Sequence, residues 1–294
     1  MDNSRLLFLL DLKKAEDQKD VEAKIDFFNT LTNLLFKVTQ SLYDGGEKPK
    51  YHQREIEGKF FRFGLANQSI ITLMKGNEFK LISKDCKIGD VFSIKNIIRM
   101  QFESFLIMHY LFFDDVEEDE LNFRYEIYKL HGLQKQANMR ANTKKGEEKR
   151  KKILEEVEEC QNRIIEYDTY KCAKIRDQKW YLKPSKPKLF NTEELFKRSG
   201  LNNVRGDDMW SIFSNYTHAE YISDRQYNSI YRIEKSINDE YMYLLTLMSF
   251  MTSRLIMLIV NNFKSAKLSY ASFSDIEKAQ IELWSGADFS NVRV

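Results

Sequence analysis

Between Val91 and Phe113 apolar side chains fall on almost every face of a helical wheel. Phe92, Ile94, Ile97, Ile98, Phe102, Phe105, Leu106, Leu111 and Phe112 leave only a narrow polar stripe. A helix apolar nearly all round has to be enclosed by other elements, because a solvated helix keeps a broad polar face. The segment therefore predicts the middle of a bundle. Eleven Gly and three Pro in 294 residues are too few for the many tight turns of an all-β chain, so its neighbours should be helices as well.

Apolar steps of three and four residues locate those neighbours. Residues 17–43 carry Val21, Ile25, Phe28, Leu31, Leu35, Val38 and Leu42 and stop at Asp44-Gly45-Gly46. A second helix over 56–75 ends at Gly76, and Asn77–Gly89 reads as connecting structure. Asp114-Asp115-Val116-Glu117 offers an acidic cap for a helix over 115–140. Residues 144–159 hold six cationic and six anionic side chains, with Glu147 and Glu148 four residues before Lys151 and Lys152. Such balance predicts a solvated, protruding helix within 141–165 rather than a nucleic-acid contact.

Past the proline joint Lys183–Pro187, Asn191-Thr192-Glu193-Glu194 opens a short helix closed by Gly200. An element over 207–221 carries Trp210, Phe213 and Tyr216. Ser223 with Gln226 should cap the next helix, and Asn238 or Asp239 should restart a long run to about Phe263. Ser274 with Glu277 should cap a last helix ending near Gly286. The expected fold is all-α, a single large helical bundle with a protruding charged helical segment. It forms one domain over 1–294, with a sub-boundary near 178–190 dividing 1–177 from 191–294.

Lys and Arg number 46 against 44 Asp and Glu, so nothing global draws the chain to nucleic acid or an anionic membrane. Cys86, Cys160 and Cys172 show no C-x-x-C spacing, which suits a reducing cytoplasm and argues against a disulfide framework or structural zinc. The run Leu6 to Leu10 is too short for a secretory signal. Tyr241–Phe263 is long enough to cross a bilayer, but Arg254 near its middle, beside Ser249, Thr252 and Ser253, makes a buried bundle helix the better expectation. Arg254 should then meet a carboxylate or reach solvent. A cytoplasmic protein without membrane contact follows.

The polar stripe of the apolar helix holds Asn96, Arg99 and Glu103, with Tyr110 further along. Arg99 and Glu103 are four apart and can pair. On the later helix Asp207, Ser211, Ser214 and His218 share a face. Should the two stripes meet, they would assemble a guanidinium, a carboxylate and an imidazole able to move protons near neutral pH. The plainer alternative makes the stripe a wetted edge, Arg99–Glu103 an ordinary surface pair and Ser214 and His218 surface residues. Ser214 and His218, side by side on one helix, do not make a nucleophile–base pair. Gly-rich phosphate loops, H-E-x-x-H, G-x-S-x-G and metal-spaced His/Cys/Asp clusters are missing from the sequence, so neither cofactor nor metal is expected.

Arg99-Met-Gln-Phe-Glu103, then Arg124-Tyr125, then Trp210-Ser-Ile-Phe-Ser214-Asn-Tyr-Thr-His218 together resemble an all-helical family of bacterial proteins of unknown function, over roughly residues 55 to 263. More remotely the layout is similar to the HEPN superfamily, many of whose members are metal-independent ribonucleases of toxin–antitoxin and phage-defence systems and work as dimers. Their signature is Arg followed after four to six residues by His. Here Ser211, Ile212 and Phe213 occupy the positions where His218 would need that Arg, whereas Arg124 and His131 have the spacing. The resemblance implies an effector acting on RNA or a nucleotide. Arg99 and Arg124 would hold phosphate, Glu103 would orient them, His218 would be the acid/base, and Ser214 and Tyr110 would contact the ligand. The competing expectation is a non-catalytic interaction module. It would form a homodimer or bind a partner protein through the aromatic-rich 207–243 region or the charged arm.

Overall fold

The computed structural model describes residues 3–80, 85–201, 205–218, 220–231 and 237–287, with the backbone alone for Ser4 and 85–87. The described residues form fourteen α-helices and one two-stranded sheet, the all-α class that the apolar periodicities predict. They divide into two compact units. The first takes residues 1–48, 55–106 and 199–294; the second takes 49–54 and 107–198. The proline joint near 178–190 thus lies inside the second unit rather than at a boundary. Its backbone is pinned there, since the Leu182 carbonyl accepts from the side-chain amides of Gln134 (2.9 Å) and Gln161 (2.8 Å).

In the first unit α1 (Asn3–Asp17) precedes α2 (Val21–Asp44), with α3 (Ile56–Met74) and α4 (Val91–Met108) following. After them come α10 (Gly206–Thr217), α11 (Tyr221–Tyr231), α12 (Ile237–Asn262), α13 (Lys264–Ala271) and α14 (Asp275–Ser285). Helix α12 is long and apolar enough to cross a membrane, and 72% of its apolar window is buried inside the protein. It packs on α2, α13 and α14. A buried amide–hydroxyl chain fixes the register of four helices: Asn67 donates to Thr252 (3.0 Å) and Thr32 (3.3 Å), and Gln101 donates to Asn67 (2.6 Å). Each of these groups would cost stability if buried without a partner, so together they favour one arrangement of α2, α3, α4 and α12.

Several local expectations need correction. The first helix does not begin at 17: α1 ends at Asp17, Lys19 takes a left-handed φ of 51°, and Asp20 caps α2 by accepting from the Ala23 N–H. Asn77–Gly89 is not mere connection. Asn77–Lys80 (β1) pairs antiparallel with Asp85–Ile88 (β2), after Gly76 turns the chain at φ 73°. All four β1 residues are exposed, so no alternation of apolar residues announces the strand. Ser223 is not an N-cap; it lies inside α11, its hydroxyl donating to the Glu220 carbonyl. Ser274 and Glu277 do form the expected reciprocal capping box.

Arg254 on α12 is half-buried, and among the described residues its partner is a carbonyl rather than a carboxylate. Its Nε donates to the Ser199 carbonyl at 3.0 Å, and burial lowers its pKa from the usual guanidinium value. Gly200 makes this possible, because a Cβ there would lie 2.2 Å from the Arg254 Nη2 and the residue sits at φ 69°.

In the second unit α5 (Glu118–Ala137) and α6 (Lys144–Glu166) form an antiparallel pair, with α7 (Asp168–Lys171), α8 (Ile175–Tyr181) and α9 (Thr192–Ser199) after them. The charged helix α6 exposes most of its surface but buries Ile153, Cys160 and Ile164. Asn191 caps α9, accepting from Glu194 N–H at 2.8 Å.

Candidate functional site

The polar stripe of α4 and the polar face of α10 lie against each other. Phe92 packs on Tyr216, Asn96 accepts from the Thr217 hydroxyl (2.8 Å), and Phe102 packs on Phe213, so α10 runs antiparallel to α4. At the centre Arg99 Nε donates to Ser214 Oγ at 2.8 Å, across 115 residues of sequence. Its Nη1 pairs with Glu103 at 3.0 Å and its guanidinium lies 4.7 Å over the Trp210 ring. Arg99, Glu103 and Ser214 are therefore together.

His218 stands apart from that trio. It follows the last residue of α10, one turn beyond Ser214, with its side chain exposed and its backbone N–H on the Ser214 carbonyl at 3.1 Å. The arrangement is a strip along two helices. The Arg99 side chain is 14% exposed and that of Glu103 is 54% exposed, so the ion pair is screened on its outer side.

One turn earlier on α4 sits a cation that the sequence reading passed over. The Lys95 side chain is 4% exposed; its ammonium pairs with Glu240 (2.7 Å) and donates to the Tyr216 hydroxyl (2.8 Å). Burial penalises its charged form and lowers its pKa, and the Glu240 carboxylate only partly restores it. Lys95 thus ties α10 and α12 to α4. The signal in the sequence was its position within the apolar run, where a lysine has to find a partner or reach water.

Arg124 and Tyr110 occupy the second unit and are packing groups there. The Arg124 side chain is fully buried. It donates to Glu120 (2.9 Å), to Asp114 (2.6 Å) and to the Tyr110 carbonyl (3.2 Å), and it lies over the Tyr110 and Phe190 rings. Asp114, expected as a helix cap, is held between Arg124 and Arg198, the latter at 3.1 Å. Burial alone would raise the Asp114 pKa, but those two guanidinium groups hold it below the usual carboxylate value. The Tyr110 hydroxyl accepts from Leu189 N–H at 3.1 Å, and burial raises its pKa. Neither residue presents a free group to a phosphate.

A second buried carboxylate also escaped the sequence reading. Glu126 accepts from the Tyr51 hydroxyl, from the Cys160 thiol (2.9 Å) and from Arg163 (2.7 Å). Burial, reinforced by Glu126, pushes the Cys160 thiol up and so makes it a poor nucleophile. The other described free thiol, Cys172, is exposed.

No curated protein and no solved structure matches the chain. A family of unknown function, DUF5677, matches residues 61–240, a span that includes both α4 and α10 and so the whole strip. The match extends over more than half of the sequence, and the chain belongs to that family.

Proposed function

We propose that this chain is a non-catalytic helical assembly module that pairs with a second copy through its α10–α11 face. The charge on that face carries the reading. Arg99 and Lys95 are each answered by a carboxylate, Glu103 and Glu240. Around them α10 and α11 carry Asp207, Asp208 and Asp224 against Arg205 and Arg225, and Arg205 is itself paired with Asp208 at 2.8 Å. A phosphodiester ligand needs surplus positive charge, and here carboxylates are in excess.

A protein partner has no such requirement. Tyr221, Ile222 and Tyr227 are 77%, 44% and 48% exposed, the aromatic and aliphatic area that interface centres use. Adjacent Asp224 and Arg225 let two copies of α11 meet about a two-fold axis with unlike charges opposed. Sedimentation velocity over a dilution series tests this. Wild type should form a dimer that the double variant Tyr221→Ser/Tyr227→Ser does not; a monomeric wild type throughout would remove the reading.

One observation favours a second reading: Arg99 meets Ser214 while His218 stays exposed one turn away. In that reading the protein is a HEPN-like effector of the toxin or phage-defence kind in a bacterial cytoplasm, acting on RNA or a nucleotide. Arg99 holds phosphate, Glu103 orients it and His218 moves the proton. RNA-cleavage assays on wild type, Arg99→Ala and His218→Ala decide it. Equal traces end this reading, and loss in both variants would raise it above the first.

A further inference from the structure

A groove of about 940 Å³ runs along the C-terminal half of α2, between the start of α3 and the α13–α14 segment. Its apolar lining is unusually open for so large a set of rings: Tyr43 is 73%, Phe61 50% and Leu65 47% exposed, and Phe36 lies beside Phe61 with centroids 5.5 Å apart. Phe61 and Leu65 are four apart and so share one face of α3. From Phe36 to Asp44 the lining follows α2 for about 12 Å, roughly two turns of a helix laid alongside it. These dimensions and this spacing suit the helix-in-groove mode of recognition.

The charges at the groove specify the occupant further. Its one lysine, Lys37, is paired with Glu277 at 3.4 Å. That leaves Asp44 and Glu57 in excess, and Asp44 is the last residue of α2, where the helix dipole adds negative potential. Apart from Phe61 and Leu65, the lining comes from α2, the first residues of α3, and the α13–α14 segment, all outside the family match at 61–240. The groove is thus built by flanking segments, on a different surface from the strip.

We infer that this groove seats a basic amphipathic helix of a partner protein. The partner's apolar stripe would cover Phe36, Phe61 and Leu65, and its lysines or arginines would reach Asp44 and Glu57.

Two synthetic helical peptides that share one leucine stripe, one flanked by lysines and the other by glutamates, test the inference by fluorescence anisotropy against the full chain. The lysine peptide should bind at least about tenfold more tightly. Asp44→Lys/Glu57→Lys should reverse that preference. Gly58→Trp introduces a side chain where a Cβ meets no atom within 4 Å, so it should weaken binding of the lysine peptide without shifting the unfolding curve. Equal affinity for both peptides, or full affinity in Gly58→Trp, overturns the inference. So does self-association of wild type that Gly58→Trp abolishes, which would give the groove to a second copy. Tyr221→Ser/Tyr227→Ser should leave peptide binding unchanged, so a failure of the assembly reading is distinguishable from a failure here.

Discussion

Arg99 and Arg124 begin from similar local chemistry. Each lies four residues from a glutamate on its own helix, and each guanidinium covers an aromatic ring, Trp210 at 4.7 Å in one case and Tyr110 at 4.8 Å in the other. Their surroundings then diverge. Arg124 is wholly buried and adds Asp114, a carboxylate with a side chain only 7% exposed. Arg99 keeps an exposed carboxylate on one side and takes a neutral hydroxyl, Ser214, on the other. The same spacing thus yields a buried charge network in the second unit and a screened surface pair in the first. What an arginine contributes depends on the exposure of its partners more than on their number.

Mutation should expose that difference. Arg124→Ala leaves the buried Asp114 with Arg198 alone and takes the guanidinium from Glu120, and should lower unfolding free energy by about 3–5 kcal/mol in urea titrations. A loss below about 1 kcal/mol would mean that water replaces the guanidinium, and the contrast with Arg99 would fail. Acid should act on the same network more weakly. The Asp114 pKa is depressed in the folded state, so its contribution is complete above the ordinary value of 3.8 and is lost as pH falls through the lower folded value. Asp114→Asn should therefore lose stability at neutral pH and show a flatter acid limb below pH 3.8 than wild type, read from unfolding midpoints across pH. Arg99→Ala should cost less than Arg124→Ala, about 1.5–3 kcal/mol by the same urea titration, because it loses a charged hydrogen bond to Ser214 while its ion-pair partner Glu103 is exposed to solvent.

Much of the first unit was legible because its helices carry a repeating apolar face. The steps in α2 and α3, the Ser274–Glu277 capping box and the Arg99–Glu103 pair are all local in sequence. The meeting of the α4 and α10 stripes was one of two alternatives that the sequence left open, the other being a wetted edge, and it brings Arg99 to Ser214 without His218. What escaped notice depended on distance along the chain or on exposure. Glu126 draws Tyr51 from 75 residues away and Cys160 from 34, and no spacing rule reaches that far. Helix α1 buries Phe8, Leu12 and Ala15 but also exposes Leu6, Leu7 and Leu10, so its apolar residues do not separate into one clear face. Arg124 was assigned to phosphate by the resemblance, through the Arg124-Tyr125 pair, and a motif does not tell an arginine in water from one buried on Glu120 and Asp114. Arg254 found a carbonyl because Gly200 gives its guanidinium room, a steric fact visible only in three dimensions.

Arg99 holds α10 against α4 through Ser214, and in the proposed assembly role it does not bind phosphate. A fluorescence-anisotropy titration of a labelled single-stranded RNA at low salt, on wild type and Arg99→Ala side by side, separates that role from phosphate binding. Superimposable curves are predicted, because the positive charge of Arg99 is already matched by Glu103. Binding by wild type that weakens about tenfold or more in the variant would put Arg99 on phosphate and return the strip to phosphate chemistry.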